Sequence, residues 1–204
     1  MQGSAMDQAR YYTALLLLMT APGGMMYWFS IHPFIGFWRK IGPPGTLAIH
    51  LFFLTVLAGL VVLVRKPLLV VQFGSEPWLM VPAVLLFALS IVLRIQVSRH
   101  LTRKILMGIP ELAPDRNPSP LLTKGPFARV RNPRYLQVIL AILAGALFSN
   151  YLASYAVFVA GIVILRTVIW MEEKELRARF GKSYDEYCAR VPRLLPRLYS
   201  GESE

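Results

Sequence analysis

Residues 133–170 read PRYLQVILAILAGALFSNYLASYAVFVAGIVILRTVIW. Two apolar runs, Pro133 to Phe148 and Tyr151 to Trp170, meet at the uncharged pair Ser149-Asn150. Apolar runs of this length with few charges are what bilayer-crossing helices require. A turn this short makes the two helices an antiparallel hairpin. The polar segments that flank the hairpin, far apart in sequence, therefore return to one side of a membrane.

Three further apolar segments precede the hairpin: Tyr11 to about Ser30, Thr46 to Val64, and Trp78 to about Val97. The first contains Pro22-Gly23-Gly24, which predicts a kink or a break. The fourth segment is short. At about 1.5 Å per residue it reaches about 24 Å, against a hydrocarbon core of roughly 30 Å. Trp78, Tyr135, Tyr151 and Trp170 stand at segment ends, the positions of an interfacial aromatic belt. The expected fold class is all-α: a polytopic membrane helical bundle of about five transmembrane helices, with a C-terminal amphipathic helix on the cytoplasmic side. Residues 1–93 are expected to supply about three spans. Residues 94–204 are expected to form a catalytic region of loop, hairpin and C-terminal helix. The proline-rich stretch Met107 to Pro120 is expected to be a loop that contributes to a lid.

Composition supports a membrane protein. The 204 residues are 55% hydrophobic and 16% charged, where soluble domains average about 25% charged. The net charge of +11 is accounted for by Lys and Arg gathered on the cytoplasmic face against anionic lipid. No nucleic-acid-binding motif is present. Nine Lys and Arg lie between Arg94 and Arg134, and eight more from Arg166 onward. Both groups fall on the same side of the hairpin, so that side, with the C-terminus, is expected to be cytoplasmic. Five spans then place Arg39 and Lys40 inside. Arg65 and Lys66 fall outside, against the trend. A single cysteine, Cys188, excludes an intrachain disulfide and a Cys-rich metal site. His32, His50 and His100 have no ligand spacing, so no metal is expected, and His50 reads as a neutral packing residue. The first thirty residues lack a cleavable-signal pattern.

Two segments carry chemistry. In Arg131-Asn132-Pro133-Arg134-Tyr135, Asn is a strong N-cap and Pro suits the first helical position. The fourth helix therefore begins here, and its free N–H groups with Arg129, Arg131 and Arg134 favour an anion. Gly125-Pro126 upstream allows a backbone to approach a ligand closely. A capped helix with arginines reaching phospholipid headgroups accounts for the same residues. The second segment is Glu172-Glu173-Lys174-Glu175. Carboxylates at the end of a span are costly unless exposed or paired. They suit an ammonium, ribose hydroxyls, or the nearby arginines. After them Leu176, Phe180, Tyr184, Tyr187 and Val191 form one face of an amphipathic helix that Gly181 interrupts.

These residues resemble the isoprenylcysteine carboxyl methyltransferase family and its relatives, the phospholipid methyltransferases. The resemblance rests on Thr123, Gly125, Pro126 and Phe127, then Arg131, Asn132, Pro133 and Tyr135, then Glu172, Glu173 and Leu176. It continues through Phe180, Gly181, Tyr184, Tyr187, Val191, Arg193 and Pro196, and covers about residues 90–197. It implies an integral-membrane methyltransferase that uses S-adenosylmethionine, and it fits the absence of a soluble Rossmann glycine motif. By position, Lys124, Gly125, Pro126 and Phe127 would wrap the nucleoside. Arg131, Asn132 and the helix start would meet the cofactor carboxylate, Glu172 and Glu173 its other polar groups, and Tyr135 would line the pocket. Arg131 and Glu173 are the expected catalytic residues. Many relatives carry His where this chain has Asn132, and Asn does not titrate near neutral pH. The implied acceptor is lipophilic: a lipid, a small molecule or a prenylated substrate, presenting a carboxylate that needs no base. A phospholipid amine, a nicotinamide-dependent membrane reductase of related layout, and a non-catalytic member are the alternatives.

Overall fold

The computed structural model describes residues 4–101, 105, 108–113 and 120–196. Six helices of eight or more residues organise this part of the chain: α1 Ala5–Ile31, α2 Ile35–Leu63, α3 Pro77–Ser98, α4 Pro133–Ser149, α5 Leu152–Phe180 and α6 Lys182–Arg190. Among the described residues, α1, α2, α3 and α5 are long and apolar enough to cross a membrane, and α4 is a shorter apolar helix of 17 residues. Phe52, Phe53, Val81, Leu85 and Val159 are each more than 60% exposed. In water such a surface would be untenable, but lipid tails solvate it without cost. The chain is an all-α integral-membrane bundle.

The helices depart from the sequence expectations in specific places. Pro22 does not break α1, which runs through it and starts with a reciprocal cap: Asp7 N–H donates to Ser4 Oγ, and Ser4 N–H to Asp7 Oδ2 (both 3.2 Å). The kink falls instead in α2, at Gly42 (φ 79°) before Pro43-Pro44. That helix begins eleven residues before Thr46. α5 does not stop at Trp170. It carries Glu172 and Glu173 on regular helix to Phe180 and ends where Gly181 takes φ 53°. Trp78 is exposed at the start of α3 and Trp170 is exposed where the apolar part of α5 ends, as a belt requires, but Tyr135 and Tyr151 are buried. The lid expected over 107–120 lies largely outside the described residues. Its described part, Ile109–Leu112, is one helical turn, with Leu112 packed against Ile31 and Trp38.

α4 packs chiefly on α3, and α1 lies against both α4 and α5. The central cluster is Met25, Trp28, Tyr135, Ile142, Leu165, Val168 and Ile169. At the end of the bundle where α1 starts, the α4–α5 turn is held by polar contacts. Asn150 takes the left-handed conformation (φ 53°) and donates its side chain to Gly74 O (3.1 Å). Residues 71–73 pair with 150–152 through Phe73 N–H to Asn150 O and Leu152 N–H to Val71 O. Arg10, 1% exposed, donates Nε to Ser149 O (3.1 Å) and lies over the Tyr151 ring (5.7 Å). The Ser149 carbonyl belongs to the last turn of α4, where helix carbonyls lack intrahelical partners. Arg10→Met should therefore leave a buried acceptor unmet and destabilise the protein by roughly 1–3 kcal/mol, read as a lowered unfolding midpoint in detergent.

Candidate functional site

At the other end of the bundle, the start of α4, the end of α5, α6 and the segment 191–196 converge. Their common point is the Glu173 carboxylate, 3% exposed. Oε1 accepts from Arg131 Nε (3.2 Å), Arg131 Nη2 (3.1 Å) and Asn132 Nδ2 (3.0 Å). Oε2 accepts from Arg193 Nε (3.0 Å) and Nη2 (2.7 Å). Arg131 spends Nη1 on Cys188 O (3.1 Å) and Val191 O (2.6 Å). The backbone adds Arg131 N–H to Pro192 O (2.8 Å) and Asn132 N–H to Arg193 O (3.1 Å). Segment 191–196 is thereby strapped along the N-terminus of α4. Asn132 occupies the N-cap position, but its side chain makes no capping hydrogen bond. The helix-capping expectation fails because a buried carboxylate from α5 is the stronger acceptor for its amide.

Beside this knot is a cavity of about 110 Å³. Arg131 and Asn132 line it from just before α4, Tyr135 from α4, Glu172 from α5, and Tyr184 and Tyr187 from α6. Phe127 also faces it, as do Arg134 and Arg179. Of the residues expected at the site, Arg131, Asn132, Tyr135, Phe127 and Glu172 thus meet on one cavity. Glu173 stands behind the wall, and Lys124, Gly125 and Pro126 do not line it. Gly125–Ala128 form a 3-10 turn with Pro126 and Phe127 buried. Gly125 has φ +62°, and a Cβ there would collide with the His100 imidazole. Both features demand glycine for the fold of the turn.

Neighbouring carboxylates of α5 face different ways. Successive residues are about 100° apart around a helix. Glu172 accordingly leaves the knot, accepts the Tyr135 hydroxyl through Oε2 and faces the cavity. Glu175 reaches His32 Nδ1 on α1 (3.0 Å). Trp28, four residues before His32, is a cavity wall that the sequence reading missed, and the Arg134 guanidinium lies over its ring at 4.3 Å. Nothing in the hydropathy of α1 marks Trp28, since it reads as one more apolar residue. Among the described residues no group of His, Cys, Asp or Glu is placed to hold a metal ion.

Behind the cavity, Tyr184, Tyr187 and Val191 form a core with Leu121, Leu176 and Phe180. Tyr187 donates its hydroxyl to Phe127 O (2.6 Å) and so ties α6 to the 3-10 turn. Burial pushes the phenol of Tyr187 up to about 12 from 10.0, and burial likewise raises that of Tyr184. A raised folded-state value favours the neutral phenol. The stability this gives is complete below pH 10 and is lost as pH rises through 12. Unfolding monitored against pH should show this alkaline loss, and Tyr187→Phe should reduce it. Glu173→Gln should be far more damaging, because it leaves Arg131 and Arg193 without their counter-charge. A loss of about 3 kcal/mol is expected from the buried half of that network, measured as a fall in unfolding midpoint.

A family model described as phospholipid methyltransferase matches residues 78–183, just over half of the chain. The match runs from the first turn of α3 to the first turn of α6, and so includes the 3-10 turn, α4 and the carboxylates of α5. Trp28, Tyr187 and Arg193 lie outside it. Comparison with curated proteins and with solved structures finds no match. Four membrane-length helices, and a cavity at the end of the bundle lined mostly from the matched stretch, agree with the match: the chain belongs to the phospholipid methyltransferase family and is an integral-membrane methyltransferase.

Proposed function

We propose that the cavity beside Glu172 binds S-adenosylmethionine and that the protein methylates a carboxylate on a lipophilic acceptor. The observation that carries this reading is the charge of the lining: among the described residues, Arg131, Arg134 and Arg179 stand against the single carboxylate of Glu172. The donor set suits the cofactor. Guanidinium groups match a carboxylate, Glu172 matches an ammonium or ribose hydroxyls, and Trp28 and Phe127 offer ring faces to an adenine or a sulfonium. Ligand pockets generally hold about 300 Å³ or more. The wall formed by Pro120, Leu121 and Leu122 must therefore yield for a ligand of this size.

The bound cofactor supplies an electrophilic methyl group, and the protein supplies alignment and exclusion of water. Four of the five N–H groups of Arg131 are engaged by Glu173, Cys188 O and Val191 O. Its plane is therefore fixed at the cavity edge, where it orients the acceptor carboxylate. That acceptor is anionic at neutral pH and needs no base. In this reading Glu172 meets the cofactor, and Glu173 acts as a positioning residue through Arg131 and Asn132. Residues 94–204 carry the chemistry, with Trp28 contributed by residues 1–93. The 3-10 turn with Lys124 lies on the nucleoside side, and the cavity and C-terminus face the cytoplasm, where the basic residues gather.

The family match favours a second reading, N-methylation of a phospholipid amine. An ammonium must first lose a proton, and Glu172, the only cavity carboxylate among the described residues, is already engaged by the Tyr135 hydroxyl. Calorimetry on the purified protein should detect S-adenosylmethionine. Glu172→Gln should weaken it roughly tenfold or more, the worth of a charged hydrogen bond, and Glu173→Ala should abolish it. Absence of binding overturns the assignment, and NADPH binding in its place selects a reductase. Mass spectrometry of lipid extracts incubated with methyl-labelled cofactor should show a labelled ester. A labelled amine would select the second reading.

A further inference from the structure

α1 and α2 enclose a second cavity of about 330 Å³, away from the first, lined by Gly23, Met26, Ser30, His50, Phe53 and Leu57 among others. Its walls are apolar except at one end, where Ser30 Oγ lies 2.8 Å from His50 Nε2. The imidazole is held firmly. Nδ1 lies 2.8 Å from Thr46 O, and the Tyr27 and Trp38 rings each stand 4.7 Å from it. Trp38 Nε1 donates to Ser30 O (3.0 Å) and fixes the serine's backbone as well. An ionisable side chain inside a span is costly and marks a functional position unless packing alone explains it.

Proton accounting defines what this polar end can recognise. A carbonyl only accepts, so the contact with Thr46 O puts the imidazole proton on Nδ1. Nε2 of the neutral ring is then a lone pair, and the single Ser30 hydroxyl proton is shared between it and Tyr27 O (2.9 Å), both of which only accept. Among the described residues no donor reaches Ser30 Oγ in return. The groove thus ends in an unmet acceptor, which a hydroxyl satisfies and a carboxylate or phosphate does not. Depth selects as well. His50 lies seven residues past Pro43, where α2 restarts after its kink, so it is about 10 Å along the helix at 1.5 Å per residue. Leu57 lies about 10 Å further in. A bulky charged headgroup remains in the interface, whereas a hydroxyl can be drawn to His50 with its chain lying deeper.

We propose that this groove binds a single-chain lipid alcohol, alkyl or isoprenoid, whose hydroxyl donates to Ser30 Oγ while its chain lies along Met26, Phe53 and Leu57. One pair of rings links the two cavities: the Tyr27 ring that packs on His50 also packs on Trp28 (5.4 Å), a wall of the first. The test uses the full chain in phosphatidylcholine nanodiscs and a photoreactive farnesol analogue. Its methyl ether and the corresponding acid serve as matched probes. Labelling of peptides containing Met26 and Phe53 should favour the alcohol over the ether roughly fivefold, the worth of one neutral hydrogen bond. Ser30→Ala, which removes only the hydroxyl, should abolish that preference, and His50→Phe should reduce it. Equal labelling by alcohol and ether, which is chain filling by any lipid, overturns the proposal. So does a preference that survives Ser30→Ala, or stronger labelling by the acid.

Discussion

The site end of this protein is organised by one carboxylate. Glu173 takes five hydrogen bonds from Arg131, Asn132 and Arg193. These partners come from the start of α4 and from the strap after α6, while the carboxylate itself belongs to α5. A buried ion pair is poor evidence of net stability, since desolvation offsets much of the attraction. Its effect here is positional. Removing water from the charges makes any arrangement that separates them expensive, so the three elements have one acceptable register. With Glu173 turned toward the knot, helix geometry turns Glu172 toward Tyr135 and the cavity. One helix thus presents a carboxylate buried in the knot and a carboxylate facing the cavity at adjacent positions.

The same constraint settles the short helix. α4 has 17 residues, about 25 Å of length at 1.5 Å per residue, less than a typical hydrocarbon core. A helix that short could thin the bilayer locally or slide along its neighbours at modest cost. It does neither freely, because both ends are fixed. The Glu173 knot holds the start, and Arg10 holds the last-turn carbonyl of Ser149. Arg10 comes from α1, which also supplies Trp28 to the cavity wall. The N-terminal helix therefore sets the position of the helix that carries Tyr135 and follows directly on Arg131 and Asn132, although none of its own residues belongs to a recognisable motif.

The hairpin, the all-α class and the convergence of the two polar segments were legible in the sequence. Hydropathy and a two-residue turn leave the chain little choice in a membrane. The end of α5 was not legible. A hydropathy run ends where side chains become polar, but the backbone continues as helix until Gly181 supplies a positive φ. A kink or break was expected at Pro22-Gly23-Gly24, where α1 runs on unbroken, and none at Gly42, where α2 is interrupted. Proline in a long span leaves few backbone groups unmet when neighbouring helices pack against it, whereas Gly42 before two prolines has a backbone freedom no other residue has. The belt role of Tyr135 and the capping role of Asn132 failed for a common reason. Belt position and capping are local rules, and in both cases a carboxylate 37 or 41 residues away offered a better partner.

Asn132 itself follows from this electrostatics. Glu173 already faces two permanent cations, Arg131 and Arg193, so the knot carries one net positive charge beside a cavity with Arg134 and Arg179 at its edge. Whatever stands at 132 must donate to Oε1. An imidazole could do so, but on protonation it would add a second net charge next to Arg131. An amide donates the same hydrogen bond and does not titrate. Asparagine therefore holds the orientation of Arg131 constant across the pH range in which a histidine would change its charge. The departure from the family pattern costs the wall of the cavity nothing, because at this position the side chain works as a donor and not as a base.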